Sequence, residues 1–153
     1  MEAIKICVVC LGNICRSPLG EAAIRDAAMR SGLKIRVDSA GTGGWHQGEP
    51  PDRRSIAEAR RHGMDISKQR ARQFNRNDFE KFHLILAMDA QNRHDLLNMT
   101  QDKSQLDKVH LFMHDHSDVP DPYHGTALDF AQVFEMVRSA AQLWIEHINA
   151  KQA

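Results

Sequence analysis

Short runs of β-branched and other apolar residues alternate along the chain with longer segments of helical periodicity, and this alternation constrains the fold most strongly. Four such runs predict strands, at residues 4–9, 34–40, 83–88 and 109–112. Each of them is followed by a helical segment or a loop that leads to one. The pattern predicts an α/β fold, in which a parallel sheet carries helices on both faces.

The predicted helices have recognisable ends. Ser17 is expected to cap a helix that starts at Pro18 and stops at Gly32. Residues 52–62 and 90–98 predict two shorter helices. In the last helix, apolar residues recur at i, i+3, i+4 and i+7 from Phe130 to Ile148. Because ligands of such folds bind at the carboxyl ends of the strands, the loop after the first strand is the expected site.

Length and charge exclude several classes of protein. The 153 residues are too few for two ordinary domains, so we expect a single domain over residues 1–153. Lys+Arg 20 and Asp+Glu 20 cancel, which argues against nucleic acid as a partner. No apolar run approaches the roughly 20 residues of a membrane span. The short, charged N-terminus is not typical of a signal peptide, so we expect a cytoplasmic protein.

The three cysteines, Cys7, Cys10 and Cys15, lie close together, and the rest of the chain has none. In a reducing compartment this clustering indicates a reactive thiol or a metal site rather than a disulfide framework. The spacing C-x2-C-x4-C is suggestive of zinc or an iron–sulfur cluster, but no later cysteine completes the ligands. Cys7 also belongs to the predicted strand. We therefore expect no metal and favour a reactive thiol.

The segment from Cys10 to Ser17 has the composition of an anion-binding loop. It leads from a buried strand into a helix N-terminus, where backbone N–H groups and the helix dipole create a positive centre. Gly12 permits backbone angles that a side chain forbids, Asn13 tolerates the left-handed region, and Arg16 can grip two oxygens of a phosphate-like anion. This setting favours the thiolate of Cys10, and the Ser17 hydroxyl could donate to the sulfur. The alternative is a small buried cysteine in an ordinary strand-to-helix turn.

At these residues the chain resembles the low-molecular-weight protein tyrosine phosphatases. The segment V-C-L-G-N-I-C-R-S-P (9–18) is similar to the family's C-x5-R-S signature. Further similar blocks are D-S-A-G-T-G-G-W-H (38–46), G-E-P-P-D-R-R (48–54), A-R-Q (71–73), A-M-D-A-Q-N (87–92) and P-D-P-Y (120–123). They stand in the family's order and at its spacing along nearly the whole chain. The resemblance implies a single three-layer α/β domain whose four-stranded, twisted parallel sheet has the order 2-1-3-4.

The resemblance also implies a mechanism without metal or cofactor. Cys10 would attack phosphorus, forming a cysteinyl-phosphate intermediate, while Arg16 and the loop hold the phosphate oxygens. Phosphotyrosine-containing proteins and small aryl phosphates would be substrates, and inorganic phosphate or other oxyanions would bind as product or inhibitor. The phosphate-binding positions would be Leu11, Gly12, Asn13, Ile14, Cys15, Arg16 and Ser17.

A departing phenolate, whose parent acid has a pKa of about 10, leaves faster when a neutral acid protonates it. The loop after the fourth predicted strand offers Asp115, Asp118 and Asp121. Prolines on both sides of Asp121 restrict its backbone and so direct its carboxyl. The family's D-P-Y motif implies the same residue as general acid and, later, general base. An Asp-Pro pair is also a common turn starter, and the two roles are compatible.

The remaining assignments are implied by the resemblance alone. The walls of an aromatic pocket would be Leu11, Trp45 and Tyr123. The polar support of the loop would be Asn13, Ser17, Ser39 and Asp89. Trp45 could equally be a partly buried core aromatic, and the Asn and Ser residues ordinary caps or turns. Cys15 would form a reversible disulfide with Cys10, or else be a core cysteine.

Two departures from the family and two rival functions are also apparent. His124 stands where the family often has a second tyrosine, and Arg70 where it often has a histidine just before A-R-Q.

An arsenate reductase of the same fold needs further cysteines downstream, and none follows Cys15. A phosphotyrosine-binding module without activity would not need Asp121.

Overall fold

Four parallel strands form one sheet in the computed structural model, which describes residues 3–152. The strands are β1 (Ile4–Cys10), β2 (Ile35–Gly41), β3 (Leu84–Ala87) and β4 (Val109–Leu111). Their spatial order is β2-β1-β3-β4, which confirms the expected order. Each strand boundary lies within one residue of its predicted position.

Six helices lie in the described part of the chain: α1 (Arg16–Arg30), α2 (Arg53–Arg61), α3 (Asp78–Lys81), α4 (Ala90–Leu97), α5 (Lys103–Leu106) and α6 (Ala127–Gln152). The four predicted helices are present, and α6 is longer at both ends than its apolar stripe. The helices α3 and α5 were not predicted, since a four-residue helix is too short to show helical periodicity. No helix between residues 3 and 152 is long and apolar enough to cross a membrane.

The sheet is buried on both faces. Ile6 and Val8 of β1 pack in a core cluster with α1, α2 and α6, whereas Cys7 and Val9 pack in a second cluster with α3 and α4. Successive side chains of a strand point to opposite faces, so a strand covered on both sides is apolar throughout. The predicted apolar stripe of α6 is buried, from Phe130 to Ile148. The central strand β1 thus ends, at Cys10, between helical layers.

The start of α1 differs from the prediction in a way that matters for the site. The helix begins at Arg16, and Cys15 occupies the N-cap position without a side-chain cap bond. Ser17 is therefore not the cap, because its hydroxyl is engaged with Cys10 and Asn13 instead. Pro18 is tolerated in the first turn, where backbone N–H groups have no partner within the helix.

Candidate active site

The loop between β1 and α1 lies at the carboxyl edge of the sheet, next to the end of β2. Thr42 and Gly43 donate their backbone N–H groups to the carbonyls of Cys10 and Leu11, at 2.9 Å each. A Cβ atom on Gly41 would stand 2.8 Å from the Leu11 carbonyl oxygen, so only glycine permits this approach. The end of β2 thereby fixes the first half of the loop.

Asn13 rather than Gly12 has the unusual backbone. Asn13 has φ 60°, in the left-handed region that asparagine tolerates, as expected. Gly12 does not adopt a left-handed φ, so the expectation of glycine-only angles at this position was wrong. The absence of a side chain at Gly12 instead makes room for His46, whose Cδ2 would lie 3.0 Å from a Cβ.

The Cys10 sulfur receives hydrogen bonds from its own loop. The Asn13 backbone N–H donates to it at 3.3 Å, and the Ser17 hydroxyl lies 3.0 Å away. Because the Ser17 oxygen already accepts from the Asn13 side-chain amide at 2.8 Å, its proton is available to the sulfur. Both donors favour a negatively charged sulfur. The side chain of Cys10 is buried but lines a cavity of about 220 Å³.

The predicted polar support around Asn13 is assembled, with two members that were not predicted. The Asn13 amide donates to the hydroxyls of Ser17 and Ser39, and its oxygen accepts from the Arg72 backbone N–H at 3.0 Å. Ser39 in turn donates to Glu21 at 2.9 Å. Burial raises the pKa of the Glu21 carboxyl, against the opposing hydrogen bonds that it accepts. Only the folded structure shows Arg72 and Glu21 to belong here, since they lie far from the loop in sequence.

Arg16 is buried and lines the cavity, and the two terminal nitrogens of its guanidinium have different partners. Its Nη1 donates to Asp89 at 2.6 Å and to the Val119 carbonyl at 3.0 Å. Its Nη2 lies 3.8 Å from Asp121. Burial disfavours the charge, but Cys10 and the Asp89 carboxylate outweigh it and raise the pKa of Arg16. Asp89 also caps α4, so this helix anchors the guanidinium.

Of the three acids considered, Asp121 alone lines the cavity. Its side chain is 45% exposed, and Oδ1 accepts the Tyr123 backbone N–H at 3.1 Å. Asp118 instead accepts the Ala90 backbone N–H, and Asp115 accepts from Ser117 within its own turn. Asp121 therefore serves as the turn residue and faces the cavity at the same time.

An arginine that sequence reasoning did not place in the site holds the loop that carries Asp121. Arg54 of α2 donates to the carbonyls of Tyr123 at 2.8 Å and Gly125 at 3.0 Å. Its guanidinium also contacts both carboxylate oxygens of Asp52, at 3.0 Å each. Asp52 donates its backbone N–H to the Ile14 carbonyl at 2.8 Å. The Asp52–Arg54 pair therefore contacts both the loop that carries Asp121 and the loop that follows Cys10. In the sequence, the motif P-P-D-R-R (50–54) was the signal that could have indicated Arg54 as a site residue.

The predicted aromatic walls line the cavity and are solvent-accessible. Trp45 is 72% exposed and Tyr123 41%, values that exclude a core role for Trp45. Leu11 lines the same cavity. Two histidines complete the rim: His46, whose Nδ1 lies 2.7 Å from Glu49, and His124, which packs edge-on against Tyr123.

The three cysteines have different surroundings, and all are free thiols. Cys15 is buried but lines the cavity with Cys10. Burial, together with the nearby Asp52 carboxylate, raises the pKa of the Cys15 thiol to about 12. Cys7 lies on the opposite face of β1, where burial raises the pKa of its thiol well above the usual range.

The other sequence features do not join the site. Arg70 donates to the carbonyls of Ser67 and Gln69 in its own turn. Within residues 3–152 no group of three or more His, Cys, Asp or Glu side chains could hold a metal ion. A thiol on an amide-rich loop, a buried arginine and an exposed carboxyl therefore share one cavity, and this combination defines the class of cysteine-dependent phosphatases.

Comparison with known proteins identifies the family within this class. A profile of the low molecular weight phosphotyrosine protein phosphatases matches residues 5–153. The low molecular weight protein-tyrosine-phosphatase YfkJ of Bacillus subtilis is 39% identical over 145 residues, which are 91% of this chain and 92% of that protein. The chain therefore belongs to the low molecular weight phosphotyrosine protein phosphatase family, and it is an enzyme of the protein-tyrosine-phosphatase class.

Solved structures agree with this assignment. The protein tyrosine phosphatase of Entamoeba histolytica, with Hepes in the active site, has a TM-score of 0.92 at 30% identity and covers 99% of this chain and 100% of its own. Wzb of Vibrio vulnificus in complex with benzylphosphonate has a TM-score of 0.87 at 28% identity, over 95% of this chain and 99% of its own. The fold is thus shared along nearly the entire chain.

Proposed function

We propose that this enzyme hydrolyses phosphotyrosine in proteins, and small aryl phosphates, through a cysteinyl-phosphate intermediate. The observation that carries the proposal is that Cys10, Arg16 and Asp121 line the same cavity. In this arrangement the nucleophile and the phosphate-binding cation come from one loop, and the acid comes from a second loop far along the chain. A buried structural cysteine would need neither of the other two groups.

In the first step the Cys10 thiolate attacks phosphorus while the bond to the leaving oxygen breaks. The Asn13 N–H and the Ser17 hydroxyl stabilise the sulfur before attack, and the other loop amides and Arg16 hold the phosphate oxygens. Asp121, in its protonated form, gives its proton to the leaving oxygen, so that a neutral phenol departs. The products of this step are the phenol and a phosphorylated Cys10.

In the second step Asp121, now a carboxylate, removes a proton from a water molecule that attacks phosphorus. The S–P bond breaks, inorganic phosphate is released, and Cys10 returns as the thiolate. Arg16 and the loop stabilise the negative charge of the phosphate in both steps. This mechanism therefore requires no metal or cofactor. Inorganic phosphate and other oxyanions should bind in the same place as product or inhibitor.

The walls of the cavity support an aryl phosphate as substrate. Leu11, Trp45 and Tyr123 present apolar surface around an opening that ends at Cys10. A phosphotyrosine ring can contact these side chains while its phosphate reaches the loop, whereas phosphoserine is too short to use them. Wzb of Vibrio vulnificus was solved in complex with benzylphosphonate, a compound that carries an aromatic ring and a phosphonate, as an aryl phosphate carries a ring and a phosphate.

We also propose that Cys15 protects Cys10 against irreversible oxidation, because both thiols line the cavity. Hydrogen peroxide would oxidise the Cys10 thiolate to a sulfenic acid, and hydroxide would leave as the O–O bond breaks. The Cys15 thiol would then attack the Cys10 sulfur, form the disulfide and release water. Dithiothreitol should restore activity to the peroxide-treated wild type but not to Cys15→Ser. We also propose a reducing location such as the cytoplasm, because three cysteines clustered in one short segment favour a reactive thiol over a disulfide framework.

Hydrolysis of p-nitrophenyl phosphate without added metal tests the proposed function. We expect near-total loss of activity in Cys10→Ser, and a loss of kcat of order 10²-fold or more in Asp121→Ala. Asp115→Ala is the matched control, since this acid lies in the same connection but outside the cavity. Full activity in Cys10→Ser would refute the mechanism, and binding of phosphotyrosine without turnover by the wild type would indicate a binding module instead.

A further inference from the structure

A second cavity, of about 510 Å³, adjoins the catalytic cavity. The two cavities share Ile14, His46 and Tyr123 as walls. From these shared residues the second cavity extends along Pro50 and Pro51 to the start of α2. Neighbouring residues of a peptide are 3.8 Å apart at their Cα atoms, so a residue flanking a bound phosphotyrosine reaches this space.

Four charged side chains line the second cavity, and three of them are engaged within the chain. Asp52 accepts two hydrogen bonds from the Arg54 guanidinium, and Glu49 is bonded to His46. Arg53 makes no hydrogen bond or ion pair with any residue from 3 to 152. Arg53 is exposed and lines the cavity. Arg53 is therefore the charge that remains available to a ligand.

The position of Arg53 is not explained by helix stability. Arg53 and Arg54 are the first two residues of α2, and the first turn of this helix contains no acidic residue. Cations near a helix N-terminus oppose the helix dipole. For Arg54, the hydrogen bonds to the carbonyls of Tyr123 and Gly125 offset this unfavourable interaction with the helix dipole. Arg53 has no such hydrogen bond. The pKa of the Asp52 carboxyl is lowered, against the effect of burial, by the hydrogen bonds and charge of Arg54 and to a lesser extent by the charge of Arg53, so Arg53 interacts with this N-cap residue only through its charge. Residues that break a local rule in this way are expected at functional positions.

We propose that Arg53 binds a carboxylate side chain next to the phosphotyrosine, so that the preferred substrates carry an acidic residue beside the modified tyrosine. This inference rests on the proposed function. A guanidinium presents a planar pair of donors that matches a carboxylate. Glu49 lines the same cavity and repels an acidic residue, so it limits the preference that Arg53 creates. The subsite selects among phosphotyrosine peptides without taking part in the chemistry.

Two matched phosphotyrosine peptides test the inference, one with Glu on both sides of the phosphotyrosine and one with Gln. In the wild type we expect kcat/KM for the Glu peptide to exceed that for the Gln peptide about threefold, the size typical of an exposed ion pair. Arg53→Gln should reduce this ratio to about one, and Glu49→Gln should increase it. Arg76→Gln is the control, since Arg76 is also exposed but lines neither cavity. High salt should reduce the wild-type ratio.

A charge reversal provides a second, independent readout. Arg53→Glu should favour a peptide with Lys on both sides over the Glu peptide. A wild-type ratio of one, a ratio unaffected by Arg53→Gln, or an equal loss in Arg76→Gln would overturn the inference. All Arg53 variants should hydrolyse p-nitrophenyl phosphate at the wild-type rate, which confirms that they fold. Absence of that hydrolysis in the wild type would instead remove the proposed function itself.

Discussion

Asn13 offers a pair of substitutions that separates backbone strain from side-chain bonding. Asn13→Ala and Asn13→Gly both remove the amide, which makes three hydrogen bonds in a buried setting. A backbone φ of 60° is tolerated by glycine, which has no Cβ, and by asparagine, which has a polar side chain. Alanine has a Cβ and no polar side chain, so only the alanine variant is strained at this position. The two variants therefore differ mainly in the cost of the left-handed backbone.

The magnitudes follow from these contacts. A net contribution of about 1 kcal/mol for each buried hydrogen bond predicts that Asn13→Gly lowers the free energy of unfolding by about 3 kcal/mol. The strained backbone adds about 1 kcal/mol in Asn13→Ala. In a chain of 153 residues, each kcal/mol shifts Tm by about 2–4 °C. We expect Tm to fall by about 9 °C in the glycine variant and by about 3 °C more in the alanine variant.

Thermal unfolding and the kinetics of p-nitrophenyl phosphate hydrolysis measure the two consequences. Without Asn13 the Ser17 hydroxyl loses the donor that directs its proton to Cys10, so kcat should fall of order tenfold in both variants. Equal Tm values would refute the strain argument. Wild-type kcat in both variants would show that this network does not orient the site.

Three further predictions follow from neighbouring contacts. Asp89→Asn should retain the cap of α4 but weaken the hold on Arg16, so the inhibition constant of inorganic phosphate should rise several-fold with little change in Tm; a wild-type constant would contradict this. Gly20→Ala should lower stability by about 1–3 kcal/mol in urea unfolding, because its Cβ would lie 2.5 Å from Met88 Cε, whereas kcat should persist; unchanged stability would contradict the close packing. Arg54→Met should reduce kcat of order tenfold for phenyl phosphate but less for p-nitrophenyl phosphate, whose better leaving group depends less on the acid. Equal losses would show that Arg54 does not position Asp121.

The sequence predicted the sheet and the site residues for different physical reasons. The strands were recognisable because a sheet that is covered on both faces needs continuous apolar runs, as in β1. The preference for Asp121 followed from the prolines around it. In the structure Asp121 lines the cavity, and its carboxylate accepts the Tyr123 backbone N–H within the turn that these prolines favour.

The parts that could not be predicted depend on long-range packing. Ser17 has the residue type of a helix cap, but tertiary contacts with Cys10 and Asn13 engage its hydroxyl instead. The positive φ belongs to Asn13 rather than to Gly12 because the Asn13 amide is bonded on three sides. Arg54 could not be placed on the acid loop, since its carbonyl partners are about seventy residues away in sequence. Local propensity decides none of these contacts.

Alkylation of the three thiols by iodoacetate at pH 6–7 tests the central chemical claim most directly. The thiolate is the reactive form of a cysteine, and burial keeps the Cys7 and Cys15 thiols protonated in this range. We expect mass spectrometry to find one carboxymethyl group, on Cys10, formed faster than on free cysteine and faster than with neutral iodoacetamide. Inorganic phosphate should protect it. Reaction of Cys10 at the rate of free cysteine, without protection by phosphate, would contradict a thiolate held in an anion-binding loop.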